Sequence, residues 1–268
     1  MTPVLEVSEL SAGYGGLPVL RDLSFRLDAG EVLALIGANG AGKTTALLTI
    51  SGLLRPLAGV VTFEGVPVVG VRPDRLARSG LVHVPDDRGL FPSLTVAEHL
   101  DVVRADRAAR ARVDEWFPAL APLTDRRVGL LSGGEQQMVA LAQALVRAPR
   151  VLMIDEMSLG LAPMVASSLL PVIRRVADES GCAVLLVEQH AAMALSIADQ
   201  AVVLAHGSVV AQDSAGSLEA NFTRVLDGYL GGPAGAETGA RTSVEDESED
   251  EDEAGGNPSP EPSSTESN

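Results

Sequence analysis

Nine consecutive residues, Gly37-Ala38-Asn39-Gly40-Ala41-Gly42-Lys43-Thr44-Thr45, carry the spacing glycine, four residues, glycine, lysine, threonine. Glycines leave backbone N–H groups free to converge on an anion without Cβ obstruction. A helix that starts there points its positive dipole end at the same place. Lys43 then reaches the β- and γ-phosphates of a nucleotide, and the Thr44 hydroxyl can ligate Mg²⁺. Lys43 is also the only lysine in the chain; the other 19 basic residues are arginines. A second group is Asp155-Glu156, which follows the apolar run Val151-Leu152-Met153-Ile154. Asp155 is suited to holding Mg²⁺ through water, and Glu156 to orienting or deprotonating an attacking water. His190 ends a third apolar run.

These residues need elements to hold them. Val32–Ile36 reads as a buried strand before the glycine loop, and Ala46–Ile50 as the start of the helix after it. Val151–Ile154 and Ala183–Val187 read as further buried strands, so Asp155, Glu156 and His190 fall at the carboxyl edge of an open α/β sheet. In Leu131-Ser132-Gly133-Gly134-Glu135-Gln136-Gln137, Ser132 and Glu135 have capping-box spacing at a helix start. Capping does not explain Gly133 and Gly134. Glycine in a first turn is unfavourable unless something must approach the backbone, and exposed amides there suit an anion.

Elsewhere, residues 4–10 read as a strand, Ser11–Gly16 as a glycine-rich turn that leaves the Tyr14 ring free to stack, and Val19–Leu27 as a second strand. Helical pattern runs from Thr95 to Leu123, opened by a capping box at Thr95 and Glu98, with Arg104–Arg112 as a solvated face. His206-Gly207 joins a hairpin, and a last helix runs to about Leu230.

The chain has 268 residues and a net charge of −16. From Pro233 to Asn268, eleven acids face one arginine, Arg241, a balance of −10. That leaves −6 on residues 1–232 and argues against a nucleic-acid partner. The tail, 233–268, is rich in Ser, Glu, Asp, Pro and Gly and is expected to be disordered. No apolar run is long enough to cross a bilayer, and no signal peptide is visible. Cys182 lies in an apolar run and reads as a small core residue.

At the level of motifs, Gly37–Thr44 resembles a Walker A loop, Val151–Asp155 a Walker B strand, and Leu131–Gln137 the signature sequence of the ABC-type ATPases. Ser158-Leu159-Gly160-Leu161-Ala162-Pro163, Leu186-Val187-Glu188-Gln189-His190 and the ending Tyr229-Leu230-Gly231-Gly232 resemble the LivF-like ATP-binding subunits of branched-chain amino-acid importers. Urea and amide importers use very similar subunits.

The resemblance implies an α/β P-loop fold over 1–232. It has a mostly parallel sheet, an antiparallel β subdomain and an α-helical signature subdomain at about 92–148. It implies ATP hydrolysis with Mg²⁺, Tyr14 as the adenine-stacking aromatic, and Asp86 in the loop that contacts metal and water. Glu156 is implied as the catalytic glutamate, Ser158–Leu161 as the D-loop and His190 as the switch histidine. It also implies that Ser132–Glu135 serve the nucleotide of a second ATPase subunit, non-identical (LivG-like) or a copy. Two membrane permease subunits and an external solute-binding protein complete the assembly, with this chain at the cytoplasmic face. The sequence departs from the family at Asp86, shorter than the expected Glu or Gln; at Met157, where Pro is usual; at Gln143, where Arg or Lys is common; and in its acidic tail. A non-transport ABC ATPase and a weakly hydrolysing nucleotide-binding regulator are the alternatives.

Overall fold

Strand β3 (Val32–Gly37) runs through a six-stranded sheet between β8 (Ala183–Glu188) and β9 (Gln200–Ala205). Beyond β8 lie β7 (Val151–Asp155) and then β6 (Leu81–Val84), all pairing parallel; β10 (Ser208–Ser214) closes the other edge antiparallel to β9. The computed structural model describes residues 3–102 and 107–221. Every residue of β3, β7 and β8 is buried, as unbroken apolar runs in a parallel sheet require.

Alternation along these strands divides the core into two layers. Val32, Ala34, Ile36, Leu152, Ile154, Val184 and Leu186 pack with buried residues of α5 (Gly133–Leu145), α6 (Pro163–Ser180) and α7 (Ala191–Leu195). Leu33, Leu35, Val151, Met153, Leu185 and Val187 pack with α1 (Lys43–Ile50) and a second, antiparallel sheet. That sheet has the order β2 (Leu17–Leu27), β1 (Leu5–Tyr14), β4 (Ala58–Phe63), β5 (Val66–Pro67).

Two expectations need correction. Residues 11–14 are not a turn: β1 continues through them, with Tyr14 opposite Leu17, and only Gly15-Gly16 turn, at φ 59° and 82°. Gly13 sits in the strand because a Cβ there would run into the Leu17 carbonyl. The stretch from Thr95 to Leu123 is not one helix. It breaks into α3 (Val96–Asp101), α4 (Arg107–Trp116) and a 3₁₀ segment, Pro118–Leu123. Pro118 and Pro122 withhold the N–H groups that a continuous α-helix needs. The Thr95 capping box does form, with Thr95 N–H donating to Glu98 Oε2 at 2.7 Å. Ala109, Val113 and Trp116 bury one face of α4 while its arginines flank that face.

The hairpin at His206-Gly207 is present, with both residues at positive φ as a tight antiparallel turn demands. Residues 215–221 are helical. The rest of the expected last helix, the ending at 229–232 and the acidic tail lie outside the described residues, as does part of the expected solvated face, 103–106. Cys182 is buried, and burial pushes its thiol up to about 12, so it stays a neutral core residue.

Candidate active site

The glycine loop follows directly from the end of β3. A Cβ on Gly37 would lie 2.7 Å from the Leu204 carbonyl oxygen and 3.0 Å from the Ala41 Cβ, so only glycine fits there. Gly42 adopts φ 99° and caps α1, a conformation that a larger residue resists. The Lys43 side chain is only 3% exposed. Its Nζ donates to the carbonyls of Gly37 at 2.8 Å and Ala38 at 3.1 Å, and lies 3.2 Å from Glu156 Oε1. The lysine is thus folded over its own loop, with its charge balanced by the glutamate that follows β7. Over this cluster opens a depression of about 270 Å³, lined by residues that include Asn39, Gly40, Lys43, Thr44, Asp86 and Glu156.

Asp155 ends β7 on the α1 side and is 2% exposed. Burial raises its carboxyl to about 6, and the nearby Asp86 and Glu156 carboxylates push the same way. The Thr44 hydroxyl and the charge of Lys43 oppose that rise. Its Oδ1 is buried without a hydrogen-bond partner. A bare carboxylate oxygen beside a threonine hydroxyl fits Mg²⁺, which takes few protein ligands and draws the rest from water and phosphate. Among the described residues no cluster of three or more His, Cys, Asp or Glu is placed to hold a metal ion.

The raised value has a consequence for stability. A carboxyl whose folded value lies above its ordinary 3.8 stabilises the fold below that value and loses the contribution as pH rises through about 6. Asp155→Asn removes the charge and keeps the shape. In chelator-treated protein it is expected to raise thermal stability at pH 8, by up to about 3 kcal/mol. Thermal scans at pH 8 and pH 5 check this, and the advantage should shrink at the lower pH.

Glu156 follows with φ 44°, a left-handed conformation costing about 1–3 kcal/mol in a residue with a side chain. Its N–H donates to the Val187 carbonyl at 2.9 Å, which holds the turn against β8. That turn brings the carboxylate to Lys43 and into the depression.

Ser132 and Glu135 form the expected capping box. The Ser132 N–H and hydroxyl donate to Glu135 Oε2 at 2.7 and 2.8 Å, and the Glu135 N–H donates back to Ser132 Oγ at 3.3 Å. The bonds from the Ser132 backbone and hydroxyl hold the Glu135 carboxyl below its usual range. Residues of the same chain crowd positions 133 and 134, tightly at 133 and to the point of a clash at 134. A Cβ on Gly133 would lie 3.3 Å from Leu161 Cδ2, and one on Gly134 would strike Val165 Cγ1. Ser132 is exposed, Leu131 is buried, and residues 131–135 do not line the depression over the glycine loop.

Tyr14 is 53% exposed near the tip of the β1–β2 hairpin. The β2 strand of that hairpin touches the loop, with the Val19 carbonyl 3.3 Å from where a Gly42 Cβ would stand. The His190 ring does not line the depression; its Nδ1 lies 3.2 Å from Ser158 Oγ. Two site residues escaped sequence reasoning. Arg88, at φ 67°, donates to Gln137 Oε1 at 3.0 Å and Gln136 Oε1 at 3.1 Å, joining the Asp86 turn to α5. Glu188, 1% exposed, accepts both the N–H and the hydroxyl of Ser158, at 2.9 and 2.8 Å. The ladder from β3 to β8 carried a signal for Glu188, because a charged residue ending a fully buried strand must find partners.

A glycine loop closing a central parallel strand, with a buried carboxylate two strands away at the same edge, defines a phosphate-loop nucleotide hydrolase. A family profile described as ABC transporter matches residues 20–158, and the chain belongs to that family as an ATP-binding, ATP-hydrolysing subunit. It is 39% identical over 240 residues to the high-affinity branched-chain amino acid transport ATP-binding protein BraG of Pseudomonas aeruginosa, covering 85% of this chain and 100% of the relative. It is 35% identical over 221 residues to a probable branched-chain amino acid transport ATP-binding protein, LivF, of Archaeoglobus fulgidus, covering 80% and 94%. Among solved structures, an ATP-binding subunit of an ABC transporter superposes with a TM-score of 0.72 at 30% identity, covering 82% of this chain and 93% of that one. An ATP-binding cassette in its ADP conformation gives 0.77 at 23% identity over 86% and 100%, a likeness of fold.

Proposed function

We propose that the chain is the ATP-hydrolysing subunit of an importer for branched-chain amino acids, working at the cytoplasmic face of the membrane. One observation carries the mechanism. Lys43, Thr44, Asp86 and Glu156 line one depression, while Ser132–Glu135 open α5 outside it, with Ser132 exposed and 133–135 half-buried. That separation supports reading the nucleotide site as half a site, completed by the signature residues of a second ATPase subunit, non-identical or a copy. Among the described residues no helix is long and apolar enough to cross a membrane. Two separate permease subunits would form the path for the solute. An external solute-binding protein would deliver the solute to them. The names of the relatives at 39% and 35% identity support branched-chain amino acids over urea or amides.

The residues divide the work. The loop amides of Gly37–Thr45 and Lys43 neutralise the phosphates, which is most of what phosphoryl transfer asks of a protein. Lys43 leaves its loop carbonyls and Glu156 to do so. Glu156, released from that pair, accepts the proton of the attacking water. Thr44 and Asp155 would hold Mg²⁺, which supplies charge neutralisation at the β- and γ-oxygens. Asp86, which lines the depression, would sense water and metal, and Arg88 ties its turn to α5. Tyr14 stacks on the base. His190 acts through Ser158, on the turn that follows Glu156.

The test is ATP turnover of the chain assembled with a second ATPase subunit, two permeases and a binding protein. Leucine, isoleucine or valine should stimulate it, and Glu156→Gln should abolish it while keeping ATP binding. Stimulation by urea alone would move the solute assignment, and no ATP turnover in any assembly would remove the reading.

A further inference from the structure

Glu188 is a buried carboxylate that the hydrolytic chemistry leaves without a role. It is 1% exposed at the end of β8, on the sheet face opposite Asp155. Both of its oxygens are engaged by one residue: Oε1 takes the Ser158 N–H at 2.9 Å, and Oε2 takes the Ser158 hydroxyl at 2.8 Å. Ser158 is itself buried, two residues after Glu156, and its Oγ makes one more contact, to His190 Nδ1 at 3.2 Å.

With Glu188 as a carboxylate, which can only accept, the donor inventory of these contacts closes in one way. A hydroxyl has a single proton, and Ser158 spends it on Glu188. The contact with His190 must then run the other way, with Nδ1–H donating to a lone pair of Ser158 Oγ. A neutral His190 ring with its proton on Nδ1 carries a bare lone pair on Nε2. Such an imidazole accepts a hydrogen bond at Nε2 from water or an N–H. We propose that Glu188 is a positioning residue that fixes His190 in the Nδ1–H tautomer through Ser158. The same two bonds pin the turn that carries Glu156. The kinetic part rests on the ATPase reading above; the tautomer itself does not.

Glu188→Gln separates this role from simple packing because the side chain keeps its shape. The carboxamide oxygen still accepts the Ser158 N–H, but its NH₂ now donates to Ser158 Oγ. The Ser158 proton must turn to His190 Nδ1, and the ring must shift to the Nε2–H tautomer. Long-range ¹H–¹⁵N spectra of the full-length protein, ¹⁵N-labelled at histidine and free of nucleotide at pH 8, read this directly. The chain has four histidines, and loss of one signal set in His190→Asn identifies the ring in question. The expected pattern is Nδ1–H in wild type, Nε2–H in Glu188→Gln, and a mixture in Ser158→Ala. Wild type in the Nε2–H form, or tautomers unchanged in both variants, would overturn the proposal. If Glu188→Gln does not fold, wild type and Ser158→Ala still decide it. In the assembled transporter, Glu188→Gln should lower kcat by about tenfold or more, the range for partners that orient an imidazole, with KM for ATP unchanged. A flipped tautomer with unchanged kcat would overturn the kinetic role alone. A wild type that never hydrolyses ATP would refute the ATPase reading and leave the tautomer result standing.

Discussion

Lys43→Ala is expected to lower ATP turnover by about two to three orders of magnitude, the usual cost of removing one preorganised charge-stabilising donor. The loop around it should survive. The bonds from Nζ to the Gly37 and Ala38 carbonyls orient the lysine more than they build the loop. The loop shape is set instead by Gly37 against Leu204, by the Ala41 N–H on the Ala38 carbonyl at 3.1 Å, and by the φ of Gly42. Circular dichroism should therefore match wild type while ATP binding and turnover both fall. Arginine is not expected to rescue, since its planar, branched guanidinium cannot reproduce the compact ammonium that donates to the Gly37 and Ala38 carbonyls. No other lysine in the chain can substitute. Retained turnover in Lys43→Ala would contradict the assignment of the phosphate site.

Ser132→Arg should do comparable damage by another route. Ser132 is exposed, and its hydrogen bonds stay within the first turn of α5. Losing that cap costs about 1 kcal/mol, which a fold of this size tolerates. On the proposed reading, the added arginine would fill the surface on which a second subunit's nucleotide rests. Turnover in the assembled pair should then fall by at least about a hundredfold. The chain's own ATP affinity should not change, because residue 132 does not line its own depression.

What the sequence disclosed follows from how local each signal is. The glycine loop, the apolar runs of β3, β7 and β8, and both capping boxes depend on neighbours within a few residues, and each was legible from spacing. The strand through Ser11–Tyr14 was not. Its flanking glycines read as a turn, yet Gly13 is there because another backbone passes close by. Pro118 and Pro122 are where a continuous α-helix to Leu123 becomes a 3₁₀ segment, because proline withholds the N–H group that the helix needs. Gly133 and Gly134 did announce a close approach, but only the fold names Leu161 and Val165 as the neighbours within the chain. Arg88 and Glu188 act across 49 and 30 residues of chain, so no local pattern pairs them with Gln137 and Ser158. His190 shows the limit of reading a position at a strand end. The edge of the sheet was right, and the ring turns to Ser158 instead of the depression.

That the nucleotide site is shared between two subunits is tested most directly by one paired measurement on Ser132→Arg: ATP affinity of the isolated chain and ATP turnover of the assembled ATPase pair. The expected result is wild-type affinity with turnover lost. Affinity lost in the isolated chain, or turnover kept in the assembled pair, would mean that the site is complete within one molecule.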